Sequence, residues 1–391
     1  KTVPEIMSEE SYMFKMKKYG KEIIKKIEKD ELLIMPIERK NEVLSFTKSE
    51  GLKDISFSRK NVKWGIPLPW DKTHTVYVWA DAFLNYLTGL GWDGKIPPTP
   101  FIQRGQPAKS PLHKGDKGGL LDFWPADLHL MSKDILRVHA TIWPAMLLSL
   151  GLPLPKTLFI HGFFMIDGQK MSKSLGNVIT PNDLVKKYGV DGARYLVASA
   201  APLGADGDIS WAKFDEKYNA DLANGVGNLL ARSITLADKM ADAGIKFQDG
   251  GENFQFSIFN FQTIFNDQVS ISKNWKDYKG LLKSIQIDRA LEIIKQQVKF
   301  LDNYITTIKP WELIKNKDKQ VGAVMYNILE RLRHIAWMLW PFMPETAEKI
   351  WESLGLNPAE EMKKDFNEAT KWGGLKVDTK IKKGEILFPR L

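Results

Sequence analysis

Cysteine is absent from the 391 residues, which removes disulfides, thiolate metal sites and a cysteine nucleophile together. Histidine is scarce. The six, at 74, 113, 129, 139, 161 and 334, show no ligand spacing such as H-x-x-x-H, so no zinc is expected in this chain. No apolar run approaches the ~18 residues of a membrane-spanning helix, and no membrane partner is expected. Acidic residues number 47 against 56 basic ones, a formal charge of +9. With 13 Trp and 10 Tyr, that balance suits a polyanion with exposed bases and equally suits plain solubility. The 43% of apolar residues is ample for two packed cores and points to two or three domains. Lys1 stands where Met is usual, so the chain reads as cut from something longer.

Hydrophobic periodicity divides the chain. Residues 12–29 and 39–47 read as helices, and 54–59, 75–79 and 157–160 as strands, with a helix over 135–150 that contains Pro144. Such alternation predicts a mainly parallel sheet with helices on its faces and ligands at the carboxyl ends of its strands. Residues 93–121 turn to Gly, Pro, Lys and Gln with little to bury, the composition of a mobile surface insertion. Beyond about residue 215 two apolar stripes take over: Ile287, Leu291, Ile294, Val298, Leu301 and Ile305, then Val321, Met325, Ile328, Leu332, Ile335 and Leu339. Both predict a helical bundle, which fixes fold and leaves function open. The β-rich, Gly-punctuated tail over 375–391 is expected to fold back on a neighbour.

The most specific stretch is D-G-Q-K-M-S-K-S-L-G-N over 167–177. Lys170 and Lys173 flank small hydroxyls on a loop between a hairpin turned at Asp167-Gly168 and a helix opened by Thr180 as N-cap, Pro181 in its first turn and Asp183 as capping-box partner. A doubly cationic loop anchored in this way is a movable clamp for phosphates, whose charge grows in a phosphoryl-transfer transition state. Elsewhere the residues alone leave two readings open. Trp79, Trp143 and His139 describe ordinary core aromatics and a satisfied histidine, or the walls of an apolar pocket. Arg59 is a surface ion-pair partner or a phosphate ligand. Asn228 and Arg232, one helical turn apart, are a polar face or readers of base edges, and Trp311 after Pro310 is a packed or a stacking indole.

The K-M-S-K-S stretch resembles the signature loop of the class I aminoacyl-tRNA synthetases. Within that class, E-E-S-Y at 9–12, R-K-N-E-V-L-S-F at 39–46, W-G-I-P at 64–67, V-W-A-D-A at 78–82 and the segments 124–143 and 161–177 are similar to the methionine-specific group. The resemblance begins about halfway through that group's catalytic domain, with no counterpart of the H-I-G-H-type ATP motif, so the chain by itself is expected not to activate methionine. It implies an α/β fold, the C-terminal half of a Rossmann-like class I catalytic domain over 1–175. A connecting region over 176–215, an all-α anticodon-binding bundle over 216–362 and a tail over 363–391 would follow.

The implied activity is a methionine–tRNA ligase, with methionine, ATP carrying Mg2+ and tRNA(Met) as partners in a cytoplasmic setting. The resemblance puts Lys170, Ser172, Lys173, Ser174 and Arg59 at the reacting phosphates. Asp134, His161, Gly162 and Met171 would join the two lysines around ATP, and Trp79, Ala82, Tyr86, Ile135, His139 and Trp143 would surround the methionine side chain. Asn228, Arg232 and Trp311 would meet the anticodon. Ser132 departs from the glycine usual at its position, where backbone is expected to approach the ribose. A non-catalytic tRNA-binding derivative is the alternative from another class. A leucine, isoleucine or valine synthetase shares the loop, but the aromatic pocket and the anticodon trio favour methionine.

Overall fold

The computed structural model describes residues 9–60, 62, 64–92, 94, 123–166, 168–172, 176–249 and 271–391. The insertion expected over 93–121 lies almost wholly outside them, as do Lys173 and Ser174 of the signature loop. Two compact units divide between Phe163 and Phe164.

In the first unit, β1 (Met13–Phe14), α1 (Gly20–Glu28), β2 (Leu33–Met35) and α2 (Ile37–Ser49) precede two short strands, β3 (Ile55–Ser56) and β4 (Ser58–Arg59). Then come β5 (Thr75–Val76), α3 (Val78–Thr88), β6 (His129–Ser132), α4 (Leu136–Ser149) and β7 (Thr157–His161). The central sheet has the order β2-β7-β6 and is parallel throughout, as the βα alternation requires. Leu158 and Ile160 of β7, Ile34 of β2 and Leu136 and Leu147 of α4 are buried in one core, joined by Ile23 and Ile27 of α1.

Two expectations need correction here. The helix expected over 12–29 begins only at Gly20, after a short strand and a 3-10 turn. The strand expected over 75–79 ends at Val76: the amides of Ala80 and Asp81 bond to Tyr77 O and start a helix, and Ala80, Phe83 and Leu87 are buried at helical spacing. Alternation in T-V-Y-V-W lost to the helix-forming run that follows it.

The second unit opens with the hairpin β8 (Phe164–Ile166) and β9 (Gln169–Lys170), then α5 (Pro181–Ala198), β10 (Gly207–Asp208) and α6 (Trp211–Lys217). A π-helix (Tyr218–Gly227) runs directly into α7 (Asn228–Asp242). After it stand α8 (Ile271–Lys283), α9 (Ile287–Ile308), α10 (Pro310–Lys315), α11 (Val321–Leu339) and α12 (Pro344–Ser353), with two single-turn helices, α13 (Pro358–Glu361) and α14 (Phe366–Ala369). Both sequence stripes are core, with Ile287 at the margin. Every residue of α11 is buried, so its polar members have left water as well.

Those polar members bind the tail. Glu330 accepts from Arg333 Nη2 at 2.7 Å and from the amides of Gly373, Gly374 and Leu375 at 2.9, 3.0 and 2.9 Å. Arg333 donates onward to Ala369 O and Lys371 O, and neither Glu330 nor Arg333 is exposed. A Cβ on Gly374 would lie 2.5 Å from Arg333 Cζ, which is why no side chain stands there. Trp275 Nε1 donates to His334 Nδ1 at 2.9 Å, so the neutral imidazole carries its proton on Nε2, toward Glu330. Burial pushes the Glu330 carboxyl up, but the bonds from His334 and Arg333 outweigh it and bring it down to about 2. The tail does fold back, with Leu375 and Phe388 in the core, yet no strand forms over the β-rich 375–391.

Glu330→Gln should therefore leave Arg333 buried without its charge partner, at a cost of about 3–5 kcal/mol. For a unit of this size that is a fall of roughly 6–20 °C in Tm, read by circular dichroism. The depressed carboxyl also makes the unit acid-labile: Glu330's contribution is complete above about pH 4.5 and is lost as pH falls toward 2.

Candidate functional site

The carboxyl ends of β6 and β7 lie side by side, Ser132 opposite His161, at the edge where ligands approach a parallel sheet. Ser132 Oγ donates to Asp134 Oδ1. The side chain standing in the place of glycine thus engages the carboxylate expected at a ribose. His161 Nδ1 is 2.7 Å from Gly162 O; a carbonyl only accepts, so Nδ1 carries the proton. Lys133 Nζ lies 4.7 Å over the Phe163 ring.

Helices α3 and α4 build an aromatic pocket whose Tyr86 and His139 meet His129, the first residue of β6. Trp79, Ala82 and Tyr86 follow one another at three and four residues on α3; Ala82 is exposed, Trp79 is half-buried and Tyr86 is 39% exposed. Ile135 precedes the first turn of α4 and is half-buried, while His139 and Trp143 face inward from that helix. Ile135 O accepts from His139 Nδ1 at 2.9 Å, which fixes the tautomer; His139 Nε2 is then an acceptor and takes the Tyr86 hydroxyl at 3.0 Å. Burial holds the His139 imidazole below its ordinary range despite the Ile135 carbonyl, so it is neutral at pH 7. The pocket therefore offers aromatic walls and a polar tip without charge, an environment for an apolar or thioether chain rather than for an ion.

Trp143 is fully enclosed and stacks on Phe83, with 5.4 Å between ring centroids. It is the floor of the pocket rather than a wall. Phe83 also meets Trp79 at 5.2 Å and His139 at 4.9 Å. Sequence reasoning passed over it, although its place four residues after Trp79 was the available signal. His129 was passed over too. Its ring stands edge-on to Tyr86 at 4.5 Å, and burial first and the neighbouring His139 second lower its pKa to about 4.

The signature segment starts on a hairpin in register Met165↔Lys170, turned through Gly168 at φ +73°. β10 extends it on the other side, and Phe164 and Ile166 pack against the helical core. Met171 N donates to Phe164 O at 3.1 Å and Ser172 N to Asn177 Oδ1 at 2.9 Å, so Asn177 closes the segment from its far end. The capping box is present: Asp183 N donates to Thr180 Oγ1 and Thr180 N to Asp183 Oδ2, both at 3.2 Å. Lys170 is exposed on β9, with Met171 and Ser172 half-buried beyond it.

Arg59 sits on the β4–β5 pair in the first unit, where Nη1 donates to Ser56 Oγ and Ser58 O and the guanidinium lies 4.6 Å over Tyr77. In the second unit, Asn228 is exposed at the first turn of α7. Arg232, one turn on, pairs with Asp302 of α9 and reaches Thr306 Oγ1 at 3.4 Å. Trp311, 40% exposed, opens α10 behind Lys309, whose left-handed φ of 52° turns the chain sharply out of α9. Helices α7 and α10 pack against each other, so the fold brings the three residues to neighbouring helices of one unit.

The family described as tRNA synthetases class I (M) matches residues 1–234, and the anticodon-binding domain of tRNA ligase matches residues 270–386. A methionine–tRNA ligase of Caldanaerobacter subterraneus is 38% identical over 99% of this chain and 56% of its own length. That of Streptomyces coelicolor is 34% identical over 99% of this chain and 68% of its own. The Mycobacterium tuberculosis methionyl-tRNA synthetase bound by methionyl-adenylate superposes with a TM-score of 0.77 at 32% identity, over 97% of this chain and 68% of that one. The chain spans about half the length of most of the curated relatives it matches.

The depressed His129 gives the pocket a pH signature. The unfolded chain binds a proton near pH 6.5 that the folded unit resists down to about 4, so stability falls across that window. His129→Phe keeps an edge-on ring and removes the titration. Urea melts between pH 7 and 4 should show a shallower loss of stability for the variant than for the parent; equal slopes would show that His129 does not titrate in this window.

Proposed function

Because this chain belongs to the methionine-specific tRNA synthetases of class I, we propose that it acts in methionine–tRNA ligation, as part of an enzyme that activates methionine with ATP and passes it to tRNA(Met). The observation that carries the reading is the uncharged aromatic pocket between α3 and α4, where neutral His139 holds the Tyr86 hydroxyl. Its walls suit a thioether, and a neighbouring edge bearing Ser132, Asp134, His161 and Gly162 suits a nucleotide.

In this reading a methionine carboxylate oxygen attacks the α-phosphorus of ATP; the new P–O bond forms as the bond to the bridging oxygen breaks, and pyrophosphate leaves with the magnesium it carried. A terminal ribose hydroxyl of the tRNA then attacks the acyl carbon and AMP departs. Positioning and charge do the work: the resemblance assigns Lys170, Ser172, Lys173, Ser174 and Arg59 to the phosphates, and Asn177 and the Thr180 cap support the signature segment on its C-terminal side. Residues 1–175 carry this chemistry and 216–362 read the anticodon, joined by 176–215 and tied down by the tail over 363–391.

Lys173→Ala in the full-length natural polypeptide should lower pyrophosphate exchange by roughly a hundredfold, about 3 kcal/mol, with methionine KM little changed. An unchanged rate with a raised KM would overturn the role. For the bundle, Trp311→Ala should weaken binding of a stem-loop RNA carrying CAU about tenfold or more. Equal affinity of the parent chain for CAU and scrambled stem-loops would mean that charge alone holds the RNA.

A further inference from the structure

The π-helix that leads into α7 leaves a groove against α9, a cavity of about 250 Å³. Its floor is apolar, from Val226, Ile294 and Val298, and its rim carries Asn224, Lys295 and Lys299. Three features make it more than a packing defect. An i→i+5 winding is rare and tends to mark functional sites, and here it runs over Tyr218–Gly227, the segment that forms one wall. Gly225 stands where a Cβ would lie 3.4 Å from Ala220 O and 3.9 Å from Val298 Cγ1, so the absence of a side chain keeps the wall thin. The buried end is electrically closed: Asp221 accepts from the Tyr195 hydroxyl at 2.9 Å and pairs with Lys217 at 3.2 Å and Lys295 at 3.4 Å. Lys299, one turn beyond Lys295 on the same face of α9, has no ion-pair partner among the described residues.

We propose that this groove takes an unstacked nucleobase of the same RNA loop that meets Asn228, Arg232 and Trp311, with Lys299 on the adjoining phosphate. The inference rests on the anticodon reading and adds a binding site to it. Size, chemistry and continuity select the occupant. The space falls below the ~300–1,000 Å³ of pockets for drug-sized ligands and suits one planar ring system. A base has two apolar faces for such a floor and polar edges for Asn224, and its phosphate seeks a cation. Asp302 lines the groove and pairs with Arg232, so one ion pair joins the groove to the face already assigned to RNA.

Ala220 is exposed at the rim, and Ala220→Trp fills the groove without entering the core. The test is a binding titration of the 391-residue chain with a stem-loop RNA carrying CAU, repeated with single abasic sites along the loop. Ala220→Trp should weaken the intact RNA roughly tenfold at an unchanged melting temperature. One abasic position outside the triplet should weaken the parent equally, and the two changes together should cost no more than either alone. If Ala220→Trp alters the fold, Lys299→Gln serves instead and should lower the salt slope of binding by about one. Unchanged affinity in both variants, or losses that multiply, overturns the groove while a CAU preference leaves the anticodon reading standing. Equal binding of CAU and scrambled loops overturns the anticodon reading, and the groove proposal with it.

Discussion

One carboxylate without access to water governs the helical unit. Glu330 sits in the middle of a helix that is buried on every side, and a bare charge there would be prohibitive. Arg333, three backbone amides and the Nε2 proton of His334 answer it. Because the amides belong to residues 373–375, forming α11 inside the core and anchoring the tail are one event. The tail then reaches the π-helix: Phe388 stands edge-on to Tyr218 at 5.9 Å, and Leu391 N donates to Asn219 Oδ1. The segment that lines the proposed groove is thus braced by residues more than a hundred positions away in sequence.

The first unit solves a related problem by the opposite means. Its pocket keeps polar atoms buried yet uncharged: desolvation holds both His139 and His129 neutral, and His139 donates to the Ile135 carbonyl and accepts from Tyr86. His139, 6.3 Å away between centroids, adds to the desolvation that keeps His129 neutral. A neutral pocket discriminates by shape and by the weak acceptor strength of sulfur, which suits a thioether among side chains of similar bulk.

Much of this was legible from local pattern. The Thr180-Pro181-Asp183 cap, the hairpin turned through Gly168, the parallel run 157–160 and both helical stripes depend on residues within a turn or two of each other, and all formed as the spacing requires. What the sequence hid was non-local. Nothing in V-G-A-V-M-Y-N-I-L-E-R-L-R-H shows that its charged face is enclosed, because the backbone amides that satisfy Glu330 lie 43 to 45 positions downstream. His129 opens β6, and nothing in its local sequence shows that Tyr86 of α3 packs against it. Ser132 looked like a missing glycine, and only the coordinates show its hydroxyl bound to Asp134. For Lys173 and Ser174 the case still stands on the sequence pattern alone.

In the proposed anticodon reading, Arg232 is held ready without being held fast. Its guanidinium is oriented by Asp302 and Thr306, so less side-chain entropy is lost when a base arrives than for a free arginine. Arg232 and Asp302 keep 31% and 41% of their side-chain surface in water, and partly exposed pairs of this kind are worth only about 0–1 kcal/mol. Exchanging part of that pair for the edge of a base costs little, whereas an incoming base that cannot accept from the guanidinium gains nothing for displacing the carboxylate. In that reading the ion pair acts as a reference against which bases are compared, and selectivity follows from the difference between two bonds rather than from the strength of one.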